Sequence, residues 1–218
     1  MDSSFSANGR GRRQRQKHLR QRRILGAARR LFDRKGFAAT AMEQVADKAG
    51  LAVGTLYNYF PSKNDLLLAI LRRETQRLTE EGEAILRDPP HSPADAVNAL
   101  AELFIASITA DERKLWRDVL AAAMAAPDGL GARLFELDLR LAAQFGRMVD
   151  HLKSAGAIAA DVDAVQAAGI FYSVCLAWGM AFVMNEQMTA AMMREQIRSA
   201  IGLAIRGMLA RDTQEDLR

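Results

Sequence analysis

The chain has 218 residues, half of them hydrophobic, which is enough for one molecule with a substantial core. Its single cysteine, Cys175, excludes an internal disulfide and a cysteine-rich zinc site, and three scattered histidines (His18, His91, His151) point to no metal. The net charge is only +4, but residues 1–63 carry 14 Lys/Arg against 4 Asp/Glu, whereas residues 64–218 carry 16 against 22. A basic head on an acidic body suits a polyanion bound at one end.

Residues 1–16 are rich in Ser, Gly, Gln and Arg, with Phe5 the one large apolar residue, so they are expected to be a basic flexible arm. Such an arm either follows DNA phosphates or is a solvated tail. It has no apolar segment behind it, which excludes a secretory signal and leads us to expect a cytoplasmic protein. From Lys17 to Lys35, Leu19, Ile24, Ala27, Ala28, Leu31 and Phe32 suit an amphipathic helix with a basic last turn and a glycine stop at Gly36.

Thr40 with Glu43 predicts a capping box opening a helix at about Ala41, striped by Met42, Val45, Ala46 and Ala49. Gly50 allows a sharp turn, and a second short helix follows over about Ala52 to Tyr59, stopped before Pro61. Two short helices on a tight glycine turn read as a helix-turn-helix. In the second, Leu56 and Phe60 point inward, while Val53, Gly54, Tyr57 and Asn58 lie toward a groove. Thr55, Tyr57 and Tyr59 offer hydroxyls for phosphate oxygens, and the Asn58 amide can pair with an adenine edge. Simple packing of the head is the competing account of Tyr57 and Tyr59.

From Arg22 to Leu71 the sequence resembles the DNA-binding domain of the TetR family of transcriptional regulators. The resemblance is carried by Ile24-Leu25, Leu31-Phe32, Lys35-Gly36-Phe37, Thr40, Val45-Ala46, Ala49-Gly50, Gly54-Thr55-Leu56-Tyr57, Tyr59-Phe60, Ser62-Lys63 and Asp65-Leu66. It implies that Thr40, Thr55, Tyr57, Tyr59 and Lys63 touch the DNA backbone, with Ala52, Val53 and Asn58 nearer the bases. Many relatives have Ser or Thr where Ala52 stands, so readout there would be apolar.

The head is thus expected over residues 17–63 and the body over 64–218. A long helix capped by Ser62 and Asp65 runs to about Arg87 and ends at Asp88-Pro89-Pro90. Further helices are expected at about 93–108 (capped by Ser92), 112–125, 129–155, 162–186 and 189–211, broken at Thr109-Ala110-Asp111, Pro127-Asp128-Gly129, Gly156 and Asn185 to Thr189. Nothing reads as a strand, so the fold class is all-α. No apolar run approaches the ~20 residues of a membrane span. The longest candidate, Val165 to Met184, contains Gln166, Ser173 and two glycines and reads as a buried or interface helix.

Trp116, Phe135, Tyr172 and Trp178 are candidates to line a pocket for a small, largely apolar effector, although core packing accounts for most such residues. No charged residue stands out as its anchor. The last two helices are apolar on nearly all sides, which predicts a four-helix interface between two copies, the arrangement the resemblance also implies. The expected function is a homodimeric repressor released from a palindromic operator by that effector. The alternative is a DNA-binding protein without an inducer, controlled by a protein partner or acting architecturally. No nucleophile–base pair, paired carboxylates, metal cluster or phosphate loop suggests an enzyme, and no cofactor is expected.

Overall fold

The computed structural model describes residues 4–109 and 112–209. Nine α-helices are present among them: α1 (Ser4–Lys35), α2 (Met42–Lys48), α3 (Val53–Tyr59), α4 (Lys63–Arg87), α5 (Pro93–Ala106), α6 (Arg113–Ala125), α7 (Ala132–Ser154), α8 (Ala164–Met184) and α9 (Ala190–Met208). A wide turn over Pro127–Gly131 leads into α7. The described residues contain no strand, only an isolated antiparallel pairing of Ile158 with Leu209. The expected breaker at Ala110-Asp111 and the last two residues of the expected final helix lie outside the described residues, as do residues 1–3 and 210–218 of the expected arm and body.

The chain divides into two compact units, one through Leu71 and one from Arg72. The head therefore reaches eight residues past the expected boundary at Lys63, because the buried Leu66, Leu67, Ile70 and Leu71 of α4 belong to it.

In the first unit Ile24, Ala27, Ala28, Phe32, Val45, Ala46 and Leu56 have no exposed surface. The chain leaves α1 at Gly36, whose φ of 87° puts it in the left-handed region, and Phe37 then folds back edge-on to Phe32 with ring centroids 5.3 Å apart. α2 closes the same way. Gly50 has φ 62°, and the Leu51 N–H donates to the Ala46 carbonyl at 2.9 Å.

Two expectations need correction here. Thr40 does not cap α2: it is turned inward, its hydroxyl donating to the Gly36 carbonyl at 2.8 Å. The cap is Ala41, which has no side-chain acceptor, and the returning group is Gln44, whose Oε1 accepts from the Ala41 N–H at 3.3 Å. The expected flexible arm is helical from Ser4 onward. Every side chain described from Arg12 to Arg20 is exposed, so packing does not hold that stretch. It continues an anchored helix through Arg, Gln and Lys, good helix formers that need no new nucleus.

Several helices open on side-chain caps, and those of Ser62 with Asp65 and of Ser92 fall where the sequence puts them. Ser62 and Asp65 exchange hydrogen bonds at the start of α4, Ser92 accepts from Asp95, Asp163 accepts from Val165 and Gln166, and Thr189 accepts from Met192. α5, α7, α8 and α9 surround a core that includes Val97, Leu100, Phe145, Met148, Phe171, Phe182, Ile197 and Ile201. At Gly179 an added Cβ would stand 2.9 Å from the tip of the Phe104 ring, so any side chain there would have to displace that ring. Arg113, buried at the start of α6, donates to the carbonyls of Asn185 (3.1 Å) and Met188, its guanidinium 3.9 Å from the centroid of Phe182. It thereby ties α6 to the turn between α8 and α9.

Contrary to the sequence-based expectation, α8 is by length and composition able to cross a membrane, with 21 residues and a mean hydropathy of 1.8 over an 18-residue window. Eight of its residues instead lie in the helical core, among them Phe171, Cys175 and Phe182.

Candidate nucleic-acid interface and effector cavity

α3 presents two faces. Leu56 is sealed in the core and Phe60 nearly so, while Ala52, Val53, Gly54, Tyr57 and Asn58 are exposed and Thr55 and Tyr59 half-buried. Tyr57 is 43% exposed and Val53 36%, so neither is held by head packing alone. A Cβ on Gly54 would meet nothing within 4 Å, so this chain's own packing does not require glycine there. Asn58 keeps an exposed amide beside these apolar atoms. As the sequence suggested, Ala52 is the N-cap of α3 and offers no side-chain bond.

Two expected backbone contacts are placed differently. Thr40 is 2% exposed and its hydroxyl is engaged, which leaves little of the side chain for a phosphate. The Lys63 ammonium donates to the carbonyls of Phe37 (2.8 Å) and Ala38 (3.0 Å) and sits 4.6 Å from the centre of the Phe37 ring. It acts first as a clamp on the loop after α1. Sequence reasoning passed over Arg23, which reaches the Gly50 carbonyl at 3.4 Å and braces the turn before α3. The side chains of Arg12, Arg15, Lys17, Arg20 and Arg22 are exposed along α1 and supply positive charge on the same unit.

The body holds a cavity of about 20 Å³. Leu78 of α4, Leu100, Leu103 and Phe104 of α5, Leu141 and Gln144 of α7 and Tyr172 of α8 line it. Of the four residues expected to line a pocket, Tyr172 alone does so. Phe135 is 62% exposed at the surface, and Trp116 and Trp178 pack half-buried against the core. The Tyr172 hydroxyl donates to Asp138 Oδ1 at 2.6 Å. Burial raises the pKa of both groups: for Asp138 the hydrogen bond from Tyr172 only partly offsets it, and for Tyr172 the adjacent carboxylate adds to it. Buried Gln144 donates to the Thr79 carbonyl at 2.8 Å, linking α7 to α4, and lies where a Cβ on Gly82 would be. Asp138, Leu141 and Gln144 recur every three residues along α7, a readable signal of polar groups on an inward stripe that bulk and aromaticity alone had hidden.

A third surface is apolar and uncovered. On α8, Val165, Ile170, Leu176, Met180 and Met184 are exposed beside Gly169, Ser173 and Ala177; on α9, Met192 and Leu203 are exposed. Contiguous apolar surface of this kind marks a contact site. Among the described residues no group of His, Cys, Asp and Glu could hold a metal ion.

Comparison with known proteins places the head. Residues 24–70 match the family described as bacterial regulatory proteins, tetR family. The HTH-type transcriptional repressor KstR of Rhodococcus jostii is 39% identical over 101 residues, which is 46% of this chain and 43% of that one. The HTH-type transcriptional regulator RutR of Escherichia coli is 41% identical over 63 residues, 29% of this chain and 30% of its own. The chain thus spans less than half the length of these curated relatives. A TetR-family regulator structure from Mesorhizobium loti superposes with a TM-score of 0.73, covering 88% of this chain and 98% of that one at 23% identity. A transcriptional regulator from Saccharomonospora viridis in complex with choline gives 0.67 over 84% and 95% at 23% identity. At these identities the two structures establish a shared all-α fold.

Proposed function

Since residues 24–70 match the tetR family of bacterial regulatory proteins, we propose that the chain is a homodimeric transcriptional repressor released from a palindromic operator by a small, largely apolar effector. The observation that carries the DNA-binding reading is the exposed face of α3. Val53, Gly54, Tyr57 and Asn58 stand out from a sealed core on a basic unit, the arrangement of a helix that enters a major groove. Val53 and Asn58 read base edges, and Ala52 adds an apolar contact. Thr55, Tyr57 and Tyr59 hold phosphates, Thr40 and Lys63 shape the loop that presents them, and the exposed cations of α1 add sequence-independent attraction.

Two copies joined through the uncovered faces of α8 and α9 place two heads about a twofold axis, which matches two half-sites of a pseudo-palindrome. Glutamate at both Leu176 and Met180 leaves the fold intact, since both side chains are already exposed, and converts the dimer to a monomer in analytical ultracentrifugation. An unchanged mass would remove α8 from the interface. Effector binding in the body works through α4, which is one continuous helix from the head to the cavity wall. The effector acts by binding more tightly to the arrangement that no longer fits the operator.

Selection of bound sequences from random DNA by the full chain tests the reading. An enriched inverted repeat is expected; salt-sensitive binding with no enriched sequence would overturn the base-reading role of α3. One observation favours a second reading, a DNA-binding protein without an inducer: the cavity is far below the roughly 300 Å³ of an ordinary ligand pocket. A screen in which no apolar compound weakens operator binding would select it.

A further inference from the structure

We propose that the body's cavity takes an apolar amine, with the Asp138 carboxylate receiving its ammonium group. This inference rests on reading the body as an effector domain and adds the chemistry of the effector. Asp138, Leu141 and Gln144 stand at i, i+3 and i+6 on α7 and so share one stripe of that helix. The last two line the cavity, and Tyr172, which also lines it, reaches Asp138 with its hydroxyl at 2.6 Å. The carboxylate is not itself one of the lining residues; it stands one hydrogen bond behind the cavity wall, at the Tyr172 hydroxyl.

What the carboxylate lacks is a cation. Among the described residues its one partner is the Tyr172 hydroxyl; no Lys or Arg pairs with it. A carboxylate offers about four acceptor positions, so most of its capacity is unused. Half-buried without a counter-ion, the charge is held where water solvates it poorly, and burial accordingly raises its pKa. An entering ammonium relieves that cost, whereas an entering carboxylate adds a second negative charge. The remaining lining suits the rest of such a molecule. Four leucines supply apolar contact, and the rings of Phe104 and Tyr172 stand edge to face, centroids 6.1 Å apart, offering aromatic surface that also attracts a cation. Gln144 already spends an amide proton on the Thr79 carbonyl. At about 20 Å³ the space has room for little more than one water at rest, so the amine's tail widens it by displacing leucine side chains.

The test uses the full chain with octylamine, 1-octanol and octanoate, three probes with one tail and three head groups, measured by titration calorimetry and thermal shift at pH 7. Octylamine should bind at least about tenfold more tightly than octanoate, with octanol between them. Asp138→Asn, which keeps an acceptor for Tyr172, should bring the amine and the carboxylate within about twofold of each other. Tyr172→Phe keeps the carboxylate and should keep the preference. Octanoate binding as tightly as octylamine, or an amine preference that survives Asp138→Asn, overturns the assignment while an effector cavity still stands. Neither heat nor a shift from any probe would remove the effector cavity itself.

Discussion

One glycine of the body and one of the head stand in opposite surroundings. Gly179 in the body is filled by its neighbour: the Phe104 ring occupies the place of a side chain. Gly54 in the head is empty, exposed and surrounded by nothing within 4 Å. A glycine demanded by packing belongs to the fold, whereas one that nothing in the chain demands leaves room for something outside it. The head shows an exposed face over a sealed core. The body has a small cavity and an uncovered apolar face.

Five substitutions probe that contrast. The largest effect is expected for Leu56→Ala, which empties a fully buried site in the small head and should cost about 2–5 kcal/mol in chemical denaturation. Asn58→Ala, two residues along on the same helix, should leave stability within about 0.5 kcal/mol and change base preference instead. Equal loss for both would erase the two-faced picture of α3. Next comes Gly179→Ala, which must push Phe104 aside and should cost about 1–3 kcal/mol. A neutral result would show that α5 and α8 separate freely.

Lys63→Met is expected to cost roughly 1 kcal/mol, since it strips the Phe37 and Ala38 carbonyls of a charged donor, and to weaken binding to all DNA sequences alike. Weakened DNA binding with no change in stability would make Lys63 a phosphate contact alone. The smallest effect belongs to Gly54→Ala, which should stabilise the head by up to about 1 kcal/mol while lowering operator affinity. Unchanged affinity would show that DNA does not approach α3 at this position.

The fold was legible because its signals are local. Ser92 caps the helix it announces, and Gly36, Gly50 and Gly156 turn the chain with positive φ where a stop was expected. The faces of α3 followed from a spacing of four between Leu56 and Phe60. What failed depended on where a side chain turns. Thr40 matched a capping pattern, but a hydroxyl facing Gly36 cannot also cap α2. Trp116, Phe135 and Trp178 were chosen for bulk, and bulk does not distinguish a core, a cavity wall and an exposed surface. Asp138 was missed because a lone acid on an amphipathic helix looks solvated until Tyr172 of another helix is brought to it.

Arg113 has a consequence for how such a protein changes over time. Its guanidinium, supplied by α6, holds the turn from which α8 and α9 depart, so the angle between the two helices is set by a residue that is on neither. If those helices join two copies, substitution at this one buried position becomes a route by which descendants re-angle the contact from outside it, with the contacting side chains unaltered.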